Sequence, residues 1–174
     1  MQDFFDRAKP IKLIAFDVDG VLTDGTLFIG DDGQEYKAFH SQDGHGMKML
    51  KATGVELAII TGRTSQVVGL RARNLGIQHL YQGVENKLEA FHHLLQTLGI
   101  EPGAAAFMGD DVVDLPVMLR CGLAICVPAA PPLVREHAHY ITKLHGGQGA
   151  VREVCDLIMQ AQGTFGHQMA HYLK

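Results

Sequence analysis

The stretch Ile11–Gly20 reads IKLIAFDVDG, an apolar run that stops at two carboxylates, Asp17 and Asp19, one residue apart. An apolar run of this length is typical of a strand buried on both faces. Open α/β folds bind ligands at the carboxyl ends of their strands, so both carboxylates are expected at a binding edge. Since an Asp-Gly pair alone usually marks a turn, the functional interpretation depends on the rest of the chain.

Three later segments strengthen that interpretation. Thr61, in the sequence IITGR, ends a second apolar run, and its hydroxyl can donate a hydrogen bond to a phosphate oxygen. Lys87 opens a predicted helix and offers a positive charge. Asp110 and Asp111, followed by Asp114, end a third apolar run. Carboxylates this close repel one another unless a cation lies among them, which favours a hard divalent metal.

Apolar runs and helical stretches alternate along the chain, which predicts a Rossmann-like α/β fold with a parallel sheet covered by helices on both faces. The predicted strands are Leu13–Phe16, Val55–Ile60, His79–Tyr81, Ala104–Met108, Leu123–Val127 and Tyr140–Thr142. The predicted helices are Gly46–Ala52, Ser65–Leu75, Lys87–Leu98, Val113–Arg120, Pro132–His137 and Ala150–Gln160. The length of 174 residues fits one domain, expected over residues 1–163, with a C-terminal tail at 164–174.

Residues 26–40 depart from this alternation. Thr26–Ile29 and Tyr36–Phe39 flank the turn sequence Asp31-Asp32-Gly33, which predicts a β-hairpin. The hairpin has more apolar surface than a lone two-stranded ribbon leaves in water. It could pack against its own domain, but we favour packing against another subunit.

Composition limits the partners and the compartment. A formal net charge of −4 argues against nucleic acid or an anionic membrane as the main partner, and no apolar stretch is long enough to span a bilayer. The three cysteines, Cys121, Cys126 and Cys155, are widely spaced. We therefore expect free thiols in a reducing cytoplasm rather than disulfides or a zinc site.

The four segments, taken in order, resemble the motifs of the haloacid dehalogenase superfamily of phosphotransferases. The resemblance runs from about Ile11 to Val127 and implies an aspartyl-phosphate mechanism. Larger members insert a cap domain between the motifs. Here the gaps on either side of Thr61 are too short for one, so the protruding hairpin is expected to take its place.

Further segments are similar to the capless subgroup that includes phosphatases acting on 3-deoxy-D-manno-octulosonate 8-phosphate. These segments are 17–25, 39–47, 80–87 and 146–154. The similarity implies a magnesium-dependent phosphatase of lipopolysaccharide precursor synthesis in the cytoplasm. It also implies a homotetramer assembled through the hairpins, in which a neighbouring subunit completes each active site.

The superfamily resemblance assigns catalytic roles to four residues. Asp17 is the expected nucleophile, and Asp19 is the general acid that protonates the leaving oxygen and then deprotonates water. Thr61 and Lys87 are expected to hold the phosphate oxygens. A carboxylate nucleophile needs no separate base to activate it.

The resemblance also implies metal and substrate contacts. Mg²⁺ is expected on the carboxylates of Asp17 and Asp110 and the main-chain carbonyl of Asp19, with Asp111 and Asp114 orienting the loop or the metal's waters. The implied substrate-binding residues are Asp19, His40, Ser41, Gln42, Asp43, Gly44, Lys48, Arg63, Arg71 and Lys87.

Two alternatives remain open from the sequence. A phosphatase for a nine-carbon sugar acid phosphate would need a similar site, because both substrates combine a carboxylate with a terminal phosphate. A non-catalytic tetramerisation module would need no intact site. The complete set of motif residues weighs against that second alternative.

Overall fold

The computed structural model describes every residue from Met1 to Lys174. Its strands are β1 (Leu13–Phe16), β2 (Phe28–Ile29), β3 (Glu35–Tyr36), β4 (Glu56–Ile60), β5 (His79–Tyr81), β6 (Ala105–Gly109), β7 (Leu123–Cys126) and β8 (Tyr140–Ile141). Its helices are α1 (Gln2–Ala8), α2 (Ser41–Ala52), α3 (Gln66–Leu75), α4 (Lys87–Leu98), α5 (Leu115–Met118), α6 (Pro132–Glu136), α7 (Ala150–Ala161) and α8 (Phe165–Ala170).

Six strands form one parallel sheet in the order β5-β4-β1-β6-β7-β8, and the helices pack around it. This arrangement confirms the predicted α/β class. From β1 the chain adds β4 and β5 on one side and then crosses to add β6, β7 and β8 on the other. The carboxyl end of β1 is therefore the switch point of the sheet, where loops diverge and leave a crevice.

The central strands have continuous apolar sequences because both of their faces are buried. Every residue of β1, β6 and β7 is buried, as are the last four residues of β4. Apart from Gly109, they belong to one core of 46 buried hydrophobic residues, in which Phe91 of α4 meets Phe107 of β6 edge to face. The loops at the carboxyl ends of these strands are anchored to this core.

Helix α2 begins at Ser41, five residues before the predicted Gly46, so residues 41–44 form its first turn. Two glycines lower helix propensity in this stretch and hid its start. Packing on α7 explains the second glycine, because a Cβ on Gly46 would lie 2.7 Å from Cδ of Arg152. Helix α1 was also not predicted; Phe4 and Ala8 bury its inner face.

The predicted hairpin is present but shorter than expected. Only two residue pairs join its strands, Phe28 with Tyr36 and Ile29 with Glu35, so the second strand ends before Phe39. Its apolar side chains stand in solvent, with Phe28, Ile29 and Tyr36 at 50, 63 and 62% exposure. A ribbon of this size has no core of its own and needs a surface to pack against.

Within the predicted C-terminal tail, residues Phe165–Ala170 form helix α8. In α8, Phe165 and Met169 pack against the edge of the core. None of the eight helices is both long and apolar enough to cross a bilayer.

Candidate active site

Asp17 lies directly after β1, at the switch point of the sheet, and is only 7% exposed. Its main-chain N–H donates to the carbonyl of Met108, which extends the pairing with β6 by one residue. Its Oδ1 atom accepts a 2.7 Å hydrogen bond from the main-chain N–H of Val18. The carboxylate is thus held in one orientation by the end of the strand that carries it.

Lys87 joins the first and last acidic segments. The lysine is 5% exposed, and its Nζ atom lies 2.7 Å from Oδ2 of Asp17 and 2.6 Å from Oδ1 of Asp114. Burial alone would lower the pKa of Lys87, but the two carboxylates outweigh burial and raise it. The Asn86 side chain caps the first turn of α4 and so fixes where Lys87 begins the helix.

Asp114 orients the loop between β6 and α5. It is fully buried, and its Oδ2 atom accepts hydrogen bonds from the main-chain N–H groups of Asp110 (2.9 Å) and Asp111 (3.2 Å). Asp111 accepts a bond from Val112 N–H and is exposed. With its oxygens already occupied, Asp114 serves to position Asp110 and Lys87.

Asp110 lies beside Asp17, and the positive charge nearby does not balance the negative charge of the clustered carboxylates. Burial, and then repulsion from Asp17, Asp114 and Asp111, raises the pKa of Asp110 to about 7. Burial and the Asp114 charge likewise raise the pKa of Asp17 to about 6, although Lys87 opposes the shift. A side chain on Gly20 would collide with Asp110, since its Cβ would lie 2.0 Å from Oδ2.

These carboxylates fit a small, hard cation. Oxygens of Asp17, Asp110 and Asp114 lie within 4.8 Å of one another, and only Lys87 offsets their charge. Asp114 is fully buried and does not line the cavity at this edge, whereas Asp17 and Asp110 do, so Asp17 and Asp110 are the carboxylates open to a metal. An all-oxygen donor set of this kind suits Mg²⁺.

One cavity of about 320 Å³ at the sheet edge is lined by all four predicted catalytic residues. Its lining includes Asp17, Asp19, Thr61, Arg63, Lys87, Asp110 and Asp111. Thr61 is buried directly after β4, where its main-chain N–H donates to the carbonyl of Tyr81. The parallel strands bring these residues together although they are far apart in sequence.

The structure adds two residues that the sequence interpretation missed. Lys37 extends from the hairpin and bonds Oδ1 of Asp19 at 2.5 Å and Oε1 of Glu35 at 2.8 Å. Hydrogen bonds to both carboxylates raise the pKa of Lys37 against the opposing effect of burial. The sequence did contain a signal for this pair. Side chains alternate between the two faces of a strand, so Glu35 and Lys37 lie on the same face of the ribbon, opposite Tyr36.

Several predicted substrate contacts do not lie in this cavity. Asp43 is buried and accepts a 2.8 Å bond from the main-chain N–H of Arg152, which ties α2 to the start of α7. Arg71 donates to the carbonyl of His40 and stacks over the ring of Phe39. Of the substrate contacts inferred by resemblance, those outside the chain's own cavity are His40, Ser41, Gln42, Asp43, Gly44, Lys48 and Arg71.

Comparison with known sequences gives consistent matches. A family model described as haloacid dehalogenase-like hydrolase matches residues 35–122. The 3-deoxy-D-manno-octulosonate 8-phosphate phosphatase KdsC of Yersinia pestis is 49% identical over 160 residues, which cover 92% of this chain and 86% of the relative. The enzyme of the same name from Escherichia coli K12 is 49% identical over 161 residues, with the same coverage.

Solved structures agree over nearly the whole chain. A probable YrbI family phosphatase from Pseudomonas syringae superposes with a TM-score of 0.99 at 50% identity, covering 100% of this chain and 99% of that one. The 3-deoxy-D-manno-octulosonate 8-phosphate phosphatase of Moraxella catarrhalis, solved with a magnesium ion, a phosphate ion and KDO, gives a TM-score of 0.97 at 46% identity. That alignment covers 99% of both chains.

Proposed function

The chain belongs to the haloacid dehalogenase-like hydrolase family, and from that membership we propose that it hydrolyses 3-deoxy-D-manno-octulosonate 8-phosphate to 3-deoxy-D-manno-octulosonate and phosphate. The membership confirms the resemblance inferred from the four motifs. One observation carries the proposal: Asp17, Asp19, Thr61 and Lys87 share a single cavity with Asp110 at the switch point of the sheet. Relatives at 49% identity over most of the chain carry the name of this activity.

The geometry supports a two-step transfer through Asp17. In the first step the carboxylate attacks phosphorus, a bond forms between phosphorus and the Asp17 oxygen, and the ester P–O bond breaks. Asp19 gives its proton to the leaving oxygen, so the sugar departs as an alcohol. In the second step water attacks phosphorus, its proton passes to Asp19, and the bond to Asp17 breaks.

The remaining residues would bind the metal, the phosphate oxygens and the substrate's carboxylate. Asp17, Asp110 and the main-chain carbonyl of Asp19 would hold magnesium, which when bound offsets the repulsion between carboxylate and phosphate. Lys87 and Thr61 would bind the phosphate oxygens while Asp114 keeps Lys87 in position. Arg63 is 46% exposed at the cavity rim and is available to the substrate's own carboxylate.

Phosphate release tests the proposal. The purified chain with Mg²⁺ should release phosphate from 3-deoxy-D-manno-octulosonate 8-phosphate, and an excess of EDTA should lower the rate by about 1000-fold. Added Mg²⁺ should restore it. Assays with a nine-carbon sugar acid phosphate, run in parallel, test the alternative substrate. Equal kcat/KM on the two sugars would count against the proposed specificity, and full activity in EDTA would contradict the role of the metal.

We further propose a cytoplasmic homotetramer in which a neighbouring copy completes each site in place of a cap domain. The exposed apolar side chains of the hairpin support a subunit contact there. A groove of about 630 Å³ runs between the hairpin and α3, with exposed Leu70 on its wall. Arg71 and His40 do not line the cavity of their own chain, which supports a role for them at the active site of a neighbouring copy. Three buried free thiols fit a reducing compartment.

Placing charge on the hairpin should break this assembly. The double variant Phe28→Glu with Ile29→Glu should run as a smaller species in light scattering, because two carboxylates cannot be buried unpaired in an apolar contact. KM should rise by about tenfold if a neighbour supplies substrate contacts. Leu119→Glu, at a residue that is 58% exposed elsewhere, is the matched control. A hairpin variant that is monomeric yet fully active would refute the shared site.

A further inference from the structure

We infer that Lys37, held by Glu35, fixes the carboxyl group of Asp19 so that its Oδ2 atom exchanges the proton with the leaving oxygen. The inference rests on the proposed function, because it assigns Lys37 a role through the general acid of that reaction. Lys37 is a positioning residue here, since it contacts Asp19 without lining the cavity.

The burial of Lys37 shows that its partners are fixed. The side chain is 1% exposed, which is costly for an ammonium group unless it is fully paired. Its pairing is to Oδ1 of Asp19 at 2.5 Å and Oε1 of Glu35 at 2.8 Å. Glu35 lies on the same hairpin, so its bond to Lys37 does not connect the hairpin to the rest of the chain. The bond to Asp19 places the positive charge of Lys37 against a residue that lines the cavity.

The two oxygens of Asp19 are not equivalent. Lys37 occupies Oδ1, whereas Oδ2 lies 3.9 Å from Nε of Arg63, beyond hydrogen-bond distance. Arg63 is drawn instead to Oε1 of Glu35, at 3.3 Å. Glu35 therefore holds both cations and leaves Oδ2 free for proton exchange. Asp19 keeps 22% of its side chain exposed, on the cavity side.

Fixing one oxygen serves both halves of the reaction. When the P–O ester bond breaks, the proton on Oδ2 moves to the leaving oxygen, and the resulting carboxylate keeps its charge-assisted bond to Lys37. When water attacks the phosphorylated Asp17, its proton returns to Oδ2. The proton count closes over the cycle without any rotation of the Asp19 side chain, so no reorientation cost arises between the steps.

The experiment compares two phosphate esters whose leaving groups differ in whether they need a proton from a general acid. The leaving group of 3-deoxy-D-manno-octulosonate 8-phosphate is an alkoxide that must be protonated, whereas p-nitrophenolate leaves without help. For Lys37→Met we expect kcat/KM to fall by about 100-fold on the sugar phosphate and by less than about threefold on p-nitrophenyl phosphate. The parameter kcat/KM covers only the steps up to release of the alcohol, so it isolates the half-reaction in which Asp19 acts as the acid.

Two further variants and a melting temperature distinguish loss of Asp19 positioning from loss of protein stability. Lys12→Met removes an exposed lysine at the opposite end of β1 and should change neither ester. Glu35→Gln leaves Lys37 bonded to Asp19 but weakens its second anchor, so a loss of about tenfold confined to the sugar phosphate is expected. The melting temperature of Lys37→Met, measured by circular dichroism, should stay close to that of the parent.

Equal losses on both esters in Lys37→Met would overturn the inference, since a general disturbance of the site would act on both. So would unchanged activity on both. Failure of the proposed function would look different, because the parent chain itself would then release no phosphate from the sugar phosphate, and the inference would fall with it.

Discussion

The Asp17→Asn variant should lose at least about 10⁴-fold in turnover while keeping its fold. An amide has nearly the shape of a carboxylate, so the Oδ1 bond from Val18 N–H and the packing after β1 are retained. An amide oxygen is a poor nucleophile, however, and cannot form the ester to phosphorus. Removing one of the crowded carboxylates should leave the melting temperature equal or slightly higher, because Asp17 is ionised against its burial.

Single-turnover assays with acid quenching provide the measurement. The parent should show a phosphorylated chain at early times, and the variant should show none. Asp6→Asn on α1, at an exposed aspartate far from the cavity, is the matched control and should retain full activity. Residual turnover of Asp17→Asn within tenfold of the parent would remove Asp17 as the nucleophile.

Lys87→Met should have the second largest effect, on activity and stability together. The substitution leaves Asp17 and Asp114 buried without the cation that both contact at less than 3 Å. Breaking a buried ion pair from one side costs about 3 kcal/mol or more in the free energy of unfolding. Turnover should fall by about 1000-fold, because an anchor for the transferring phosphate is also lost. Urea unfolding and phosphate release measure the two losses.

A double variant separates these two effects. Adding Asp114→Asn to Lys87→Met removes the fully buried charge and should recover part of the lost stability, without recovering turnover. Lys12→Met serves again as the exposed control. If Lys87→Met unfolds at the same urea concentration as the parent, the buried lysine contributes nothing to holding the site together, and our account of this cluster is wrong.

The sheet was predictable because its strands are buried on both faces and therefore have continuous apolar sequences. Strands such as Leu13–Phe16 and His79–Tyr81 were predicted at the bounds observed. Others differ by one residue at an end, as at Glu56 and Cys126. The edge at which Asp17, Thr61 and Asp110 meet follows from the same pattern, since parallel strands place their carboxyl ends together.

The start of α2 was not predictable from local preference. Glycines at positions 44 and 46 argue against a helix, but both lie at close packing contacts, Gly46 against Arg152 of α7 and Gly44 against side chains of α3. Helix α1 is short and gains its stability from Phe4, which packs against Tyr140 from the other end of the chain. In both cases contacts between distant segments outweigh the propensity of the segment itself.

The sequence by itself determined the order of the strands' apolar runs and the identity of the acidic, hydroxyl and lysine groups that follow them. Tertiary structure alone decided how charge is shared among those groups: that Lys87 lies between Asp17 and Asp114, and that Lys37 reaches Asp19. The physical reason is the distance along the chain over which each effect acts. Apolar periodicity is a local property of the chain, whereas the energy of a buried charge depends on which distant residues the fold brings within a few ångströms of it.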